Sequence, residues 1–186
     1  MKKAITLFFF VAIAVCLQAQ DLTWDLKFLK GREMESVSVS RIIQMETGQP
    51  FQFTITPGSN CYCYVILYDS DHKIEVYHNK LLNEEVTFGP WPLSGSGTEI
   101  FYVIMSLERQ SNLENLIAAY NNNRSSEQYA NNLLTEVVNL QNKASALGDA
   151  GSSFIPGGGS FRGASEEYVT RFSDKGLYVR PISIRH

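Results

Sequence analysis

Alternating and helical spacings divide this chain into recognisable segments. Phe51, Phe53 and Ile55 alternate with Gln52, Thr54 and Thr56. That period of two predicts a strand, closed by Pro57-Gly58. Upstream, Val37, Val39, Ile43 and Met45 share one parity with Arg41. They predict a half-buried strand over 37–45, punctuated by Gly48-Gln49-Pro50. Cys61–Tyr68 differs in being apolar on both parities. Cys61, Cys63, Val65 and Leu67 occupy one, and Tyr62, Tyr64, Ile66 and Tyr68 the other. Both faces can be buried, so a central strand covered on two sides is expected. The stretch 98–107 reads the same way. Between them, Asp69-Ser70-Asp71-His72 is rich in turn formers. Ile74, Val76 and His78 then alternate with Lys73, Glu75 and Tyr77 as a hairpin partner. Val86-Thr87-Phe88 adds a short strand before Gly89-Pro90-Trp91-Pro92.

The spacing then becomes helical over 112–147. Leu113, Leu116, Ile117 and Tyr120 follow Ser111, with Glu114 three residues on, the pattern of a capping box. Ser125 and Gln128 repeat it ahead of a second face formed by Tyr129, Leu133, Val137, Leu140, Ala144 and Leu147. Asn is frequent on the polar faces and is a mediocre helix former, so these helices need a sheet behind them. The segment 148–165 carries six glycines and reads as a mobile loop. Strand-like sequence closes the chain at 168–172 and 177–184. Pro181 cannot donate to a ladder, which places the last strand at an edge or a bulge. Segment 21–35 mixes charge with Trp24, Leu26, Phe28 and Leu29. It is compatible with a short helix or an extended arm, and 20–36 is assigned as an N-terminal arm outside a single domain at 37–186. The expected fold class is α+β: a mostly antiparallel β-sandwich or bent sheet with two amphipathic helices packed on one side.

The first residues have the three parts of a secretory signal peptide. Lys2 and Lys3 are followed by an apolar run to Leu17 and then Gln18-Ala19-Gln20. Cleavage after Ala19 takes 19 of the 186 residues and leaves 167, a single-domain length. The run is shorter than the ~20 residues that span a bilayer. A periplasmic or secreted location is expected. The alternative is a membrane-anchored lipoprotein through Cys16, although Val15 fits poorly before a lipidated cysteine. No further apolar stretch is long enough to form a transmembrane helix in the mature chain.

The formal charge of −3 shows no basic stripe, so no nucleic-acid partner is expected. Cys61 and Cys63 lie two apart on one strand face, with Cα atoms about 6.5–7 Å apart. That is at or beyond disulfide range, so two buried thiols are expected. No HExxH, GxSxG, CxxC pair or phosphate-loop pattern occurs, and no catalytic residue, metal site or cofactor is assigned. Catalytic groups drawn from distant segments leave no local signature, and Glu99, Arg109, Asp69 and His78 could converge in that way.

The segments Pro50-Phe51, Tyr62-Cys63-Tyr64-Val65-Ile66-Leu67-Tyr68-Asp69-Ser70 and Gly97-Thr98-Glu99-Ile100-Phe101-Tyr102-Val103-Ile104-Met105-Ser106 carry a resemblance. So do Leu113-Glu114-Asn115-Leu116 and the closing Gly176-Leu177-Tyr178-Val179-Arg180. Together they resemble the bacterial domain of unknown function 4384 over about 37–186. The resemblance implies an exported accessory or recognition role and brings no catalytic residue with it. His78-Asn79-Lys80 stands where that family commonly carries a proline-containing loop. The second helix and the glycine-rich segment read as an insertion.

Tyrosine supplies the candidate binding surface. Tyr62, Tyr64 and Tyr68 share one strand face and Tyr77 lies on the hairpin partner. Such a row either binds a protein, peptide or glycan through flat apolar contact, or fills the layer beneath the helices. The functional expectation is a non-catalytic interaction or accessory module of the bacterial cell envelope. The alternatives are an exported enzyme with an unrecognised site and a structural or assembly component of the envelope.

Overall fold

The computed structural model describes residues 21–147 and 168–186 in full and 151–156 as backbone. The segment read as a signal peptide and most of the glycine-rich segment lie outside the described residues. The elements are β1 (Leu22–Lys30), β2 (Glu35–Val37), β3 (Ile43–Gln44), β4 (Pro50–Pro57), β5 (Cys61–Tyr68), β6 (Ile74–Leu82), β7 (Val86–Pro92) and β8 (Thr98–Ser106). They are followed by α1 (Ser111–Asn122), α2 (Glu127–Leu147), β9 (Gly151–Pro156), β10 (Tyr168–Asp174) and β11 (Leu177–Arg185).

The strands form two sheets, and the fold is α+β, as expected. One sheet runs β7-β4-β1-β10-β9 with β2 beside β1, and the other runs β3-β11-β8-β5-β6. Every pairing is antiparallel except β11 with β3. Their facing surfaces enclose an aromatic core that joins the sheets directly. Phe53 meets Phe101 at 5.3 Å between ring centroids, and Trp24 meets Tyr178 at 5.4 Å, both edge to face. Such pairs add about 0.5–1.5 kcal/mol beyond the area they bury.

The second sheet is covered on its other face as well. Tyr64, Ile66, Ile104 and Val179 pack under Leu113 and Ile117 of α1 and Leu133, Val137 and Leu140 of α2. This double burial is why β5 and β8 are apolar on both parities. Tyr129 and Leu147, assigned to the inner face of the second helix, are exposed at its two ends. The start of α1 also departs from the sequence pattern. Gln110, not Ser111, is the N-cap, and it makes no side-chain cap bond. Glu114 instead turns its carboxylate to Tyr64 and Arg109.

Four segments differ from expectation. The N-terminal arm is strand β1, at the centre of its sheet between β4 and β10. Leu22, Trp24, Leu26 and Phe28 point into the core, and Asp25 on the outer face forms a two-pronged ion pair with Arg171. The strand expected over 37–45 is broken into β2 and β3, which join different sheets. Within the segment read as a glycine-rich loop, β9 pairs antiparallel with β10. On β6 the register slips beside Val65, so His78 turns to the same side as Tyr77. Pro181 follows expectation: over that stretch, among the described residues, β11 has a partner on one side only, β8.

Candidate functional site

The four tyrosines do not share a surface. Tyr64 is fully buried beneath the helices, while Tyr62 and Tyr68 are half-buried around the same layer. Tyr77 is on the opposite side. Ile74 and Val76 pair with Tyr68 and Ile66 on the helix-facing side, so the next residue faces the sandwich. Burial raises the Tyr64 hydroxyl well above the ordinary tyrosine range. It donates to Glu114 Oε1 at 3.0 Å and accepts from the Gln110 N–H at 3.0 Å, a bracket between sheet and helix.

Tyr77 belongs to a cavity instead. The edge strand β6 of one sheet faces the edge strand β7 of the other, and their separation leaves a cleft of about 250 Å³. Its apolar wall comes from Phe51, Tyr77, Trp91 and Phe101. Trp91 is 4.5 Å from Tyr77 and 5.8 Å from Phe101 between ring centroids. Its polar wall comes from Asp69, Glu75 and Glu99.

Each carboxylate is placed by a local rule. Asp69 opens the turn between β5 and β6, and its Oδ1 accepts the N–H groups of Asp71 and Lys73 at 3.0 and 2.7 Å. That is the side-chain-to-backbone bonding that favours Asp in turns. Glu75 is exposed on β6 and accepts the Tyr77 hydroxyl at 2.7 Å. Glu99 is the anomaly. It shares the inward parity of Phe101, Val103 and Met105, where an apolar residue is expected. Its Oε1 has two partners at the long distance of 3.3 Å, the Ser70 hydroxyl and His186 Nε2. Its Oε2 is buried without a partner. An unsatisfied charged group of this kind costs on the order of 1–3 kcal/mol or more.

Burial, then the bond to Glu75, then the negative charge of Glu75, Glu99 and Asp69 push the Tyr77 hydroxyl up. Tyr77 therefore stays neutral and donates. Among the described residues, no Lys or Arg forms an ion pair with Asp69, Glu75 or Glu99. The ion pairs of Lys73, Arg109 and Arg171 go elsewhere. A cleft with one sign of charge and low-dielectric walls concentrates counter-ions.

The groups that could have formed a distant catalytic cluster separate. Asp69 and Glu99 line the cavity, but Arg109 pairs with Glu114 at α1. His78 packs against Phe88, and burial holds its imidazole below the usual range. The Ser70–Glu99–His186 cluster puts the carboxylate between hydroxyl and imidazole. Both ring nitrogens of His186 face acceptors, Gly95 O and Glu99 Oε1, so neither addresses Ser70. The two thiols are buried, and burial pushes Cys61 up to about 11 and Cys63 further still. Neither is a thiolate nucleophile near neutral pH.

A second concavity, of about 450 Å³, lies on the outer face of the first sheet. Several of its polar groups are paired: Thr54 with Thr87, Thr56 with Glu85, and Asp25 with the neighbouring Arg171. The edge cavity differs in holding an unsatisfied carboxylate at an inward position. Sequence reasoning named Tyr77 but missed Trp91 and did not place Glu99 at a binding surface. The available signal was the inward parity of Glu99.

Compared with known proteins, the chain matches no family model, no curated protein and no solved structure.

Proposed function

We propose that the chain is an exported, non-catalytic interaction module of the bacterial cell envelope that takes its ligand in the edge cavity. Its leading segment has the make-up of a secretory signal, and an accessory role agrees with its resemblance to the domain of unknown function 4384. The observation that carries the reading is Glu99, a carboxylate held inward in an aromatic cleft with one oxygen unpartnered. Ligand pockets commonly combine apolar walls with a few convergent polar groups. The arrangement offers attraction and shape rather than chemistry, because its hydroxyl, carboxylate and imidazole are not ordered for proton transfer to a nucleophile. Among the described residues, no helix is long and apolar enough to cross a membrane.

The experiment is a panel of small amines, peptides and saccharides followed by NMR on the processed protein. The expected result is saturable shifts at Tyr77, Trp91 and Glu99 with every ligand recovered unchanged. Product formation that disappears in Glu99→Gln would overturn the non-catalytic reading. Shifts confined to Tyr62 and Tyr68 would move the site to the helix-covered face.

A further inference from the structure

The nature of the ligand can be read from the cavity, on the premise that the edge cavity is the ligand site. Its aromatic wall is Tyr77, Trp91 and Phe101, and its carboxylates are Asp69, Glu75 and Glu99. Glu99 is 8 % exposed, and its Oε2 lacks a partner. The one basic group in contact with any of the three carboxylates, among the described residues, is the His186 imidazole on Glu99 Oε1. The unmet demand is therefore for positive charge and for hydrogen-bond donors.

We propose that this cavity binds an organic cation: an alkylammonium group whose charge meets Glu99 and whose stem lies along Trp91 and Phe101. An ammonium carries three donors, which suits a carboxylate with an unused oxygen. The aromatic faces add cation–π attraction, and the stem covers apolar surface. At about 250 Å³ the cavity falls below the ~300 Å³ lower bound of most ligand pockets, so it suits one side-chain-sized group. A metal ion fits less well. Calcium takes six to eight oxygens, and among the described residues no three acidic, His or Cys side chains are grouped to hold an ion. The same ammonium could arrive as a free amine or as a lysine side chain on a peptide.

The test is calorimetric titration of the processed protein with four probes: n-butylammonium, Nα-acetyl-lysine amide, neutral n-butanol and calcium chloride. Both amines are expected to bind saturably in the millimolar range or tighter, and n-butanol far more weakly. Tighter binding of the lysine derivative assigns the peptide source, and the reverse order assigns a free amine. Glu99→Gln should weaken amine binding about tenfold or more, the loss of a charged partner. Glu75→Gln, at an exposed position, keeps the fold intact and should weaken it by a smaller factor. No amine binding, or unchanged amine affinity in both variants, overturns the proposal. Calcium binding that displaces the amine replaces the organic cation with a metal. Equal binding of n-butanol overturns the cation while leaving the cavity as the ligand site. Turnover of an amine would instead overturn the non-catalytic reading and leave the cation in place.

Discussion

Tyr64 and Glu114 meet where the second sheet touches the first turn of α1, the phenol donating to Oε1 at 3.0 Å. The same oxygen of Tyr64 accepts the N–H of Gln110, the N-cap residue, which has no side-chain cap of its own. A strand side chain thus does the work of a helix cap. Arg109 completes the group on Glu114 Oε2 at 2.7 Å. Tyr64→Phe removes both bonds and leaves the part-buried Gln110 N–H without its partner. The expected loss is about 1–3 kcal/mol in urea unfolding, with faster amide exchange in the first turn of α1. A change below about 0.5 kcal/mol would mean that the bracket is not a structural anchor.

Gly97 ties the cavity's charged wall to the turn beside it. Its φ is +150°, and a Cβ placed there would lie 2.5 Å from the Ser70 Cβ. Ser70 is the residue whose hydroxyl donates to Glu99. Gly97→Ala is expected to cost on the order of 1–3 kcal/mol in thermal or urea unfolding and to shift the Glu99 environment. A variant as stable as the parent would show that the close approach to Ser70 is not enforced.

The two thiols give a pH dependence of definite sign. Burial raises Cys61 from 9.0 to about 11 and raises Cys63 further. The folded state therefore holds the thiol protons after the unfolded state has released them. Below pH 9 both states are protonated and the thiols contribute no slope. From 9 upward the unfolded thiolates are favoured, so stability falls as pH rises through the window from 9 to about 11. Replacing both cysteines with Ala should flatten this alkaline loss relative to the parent, measured by urea midpoints. A parallel loss in the variant would assign the slope to other groups, the buried tyrosines first among them.

The leading segment is expected to be removed. Intact mass of the exported protein should correspond to residues 20–186, unlipidated, because Ala19 suits the cleavage position and Val15 does not suit a lipobox. A diacylglyceryl group on an N-terminal Cys16 would contradict this.

Much of the architecture was legible because burial on both faces leaves a direct trace. Cys61–Tyr68 is apolar on both parities and reads as a doubly covered strand, and the Asn-rich polar faces of α1 and α2 call for a sheet behind the helices. Strand β1 was not legible as a central element, although Leu22, Trp24, Leu26 and Phe28 alternate cleanly. Asp25 and Lys27 between them suit an exposed arm equally well. What centralises the strand is pairing with β10, reached by an ion pair 146 residues away at Arg171. Non-local pairing of that kind has no local signature. The tyrosine row was correct in parity for Tyr62, Tyr64 and Tyr68, but only the helix positions decide that Tyr64 is covered. The cavity was the least legible feature. Trp91 and Glu99 come from β7 and β8, strands of different sheets, and they line one cavity only once the two sheets stack.

On the proposed reading, the edge cavity rather than the helix-covered tyrosine face is the working surface. The chain's two tryptophans separate these alternatives, since Trp91 lines the cavity while Trp24 is 1 % exposed in the core. The direct measurement is a titration of the processed protein with n-butylammonium, following the two indole N–H resonances by heteronuclear NMR. The Trp91 indole is expected to move saturably while the Trp24 indole stays in place. A stationary Trp91 indole, with shifts instead around Tyr62 and Tyr68, would contradict it.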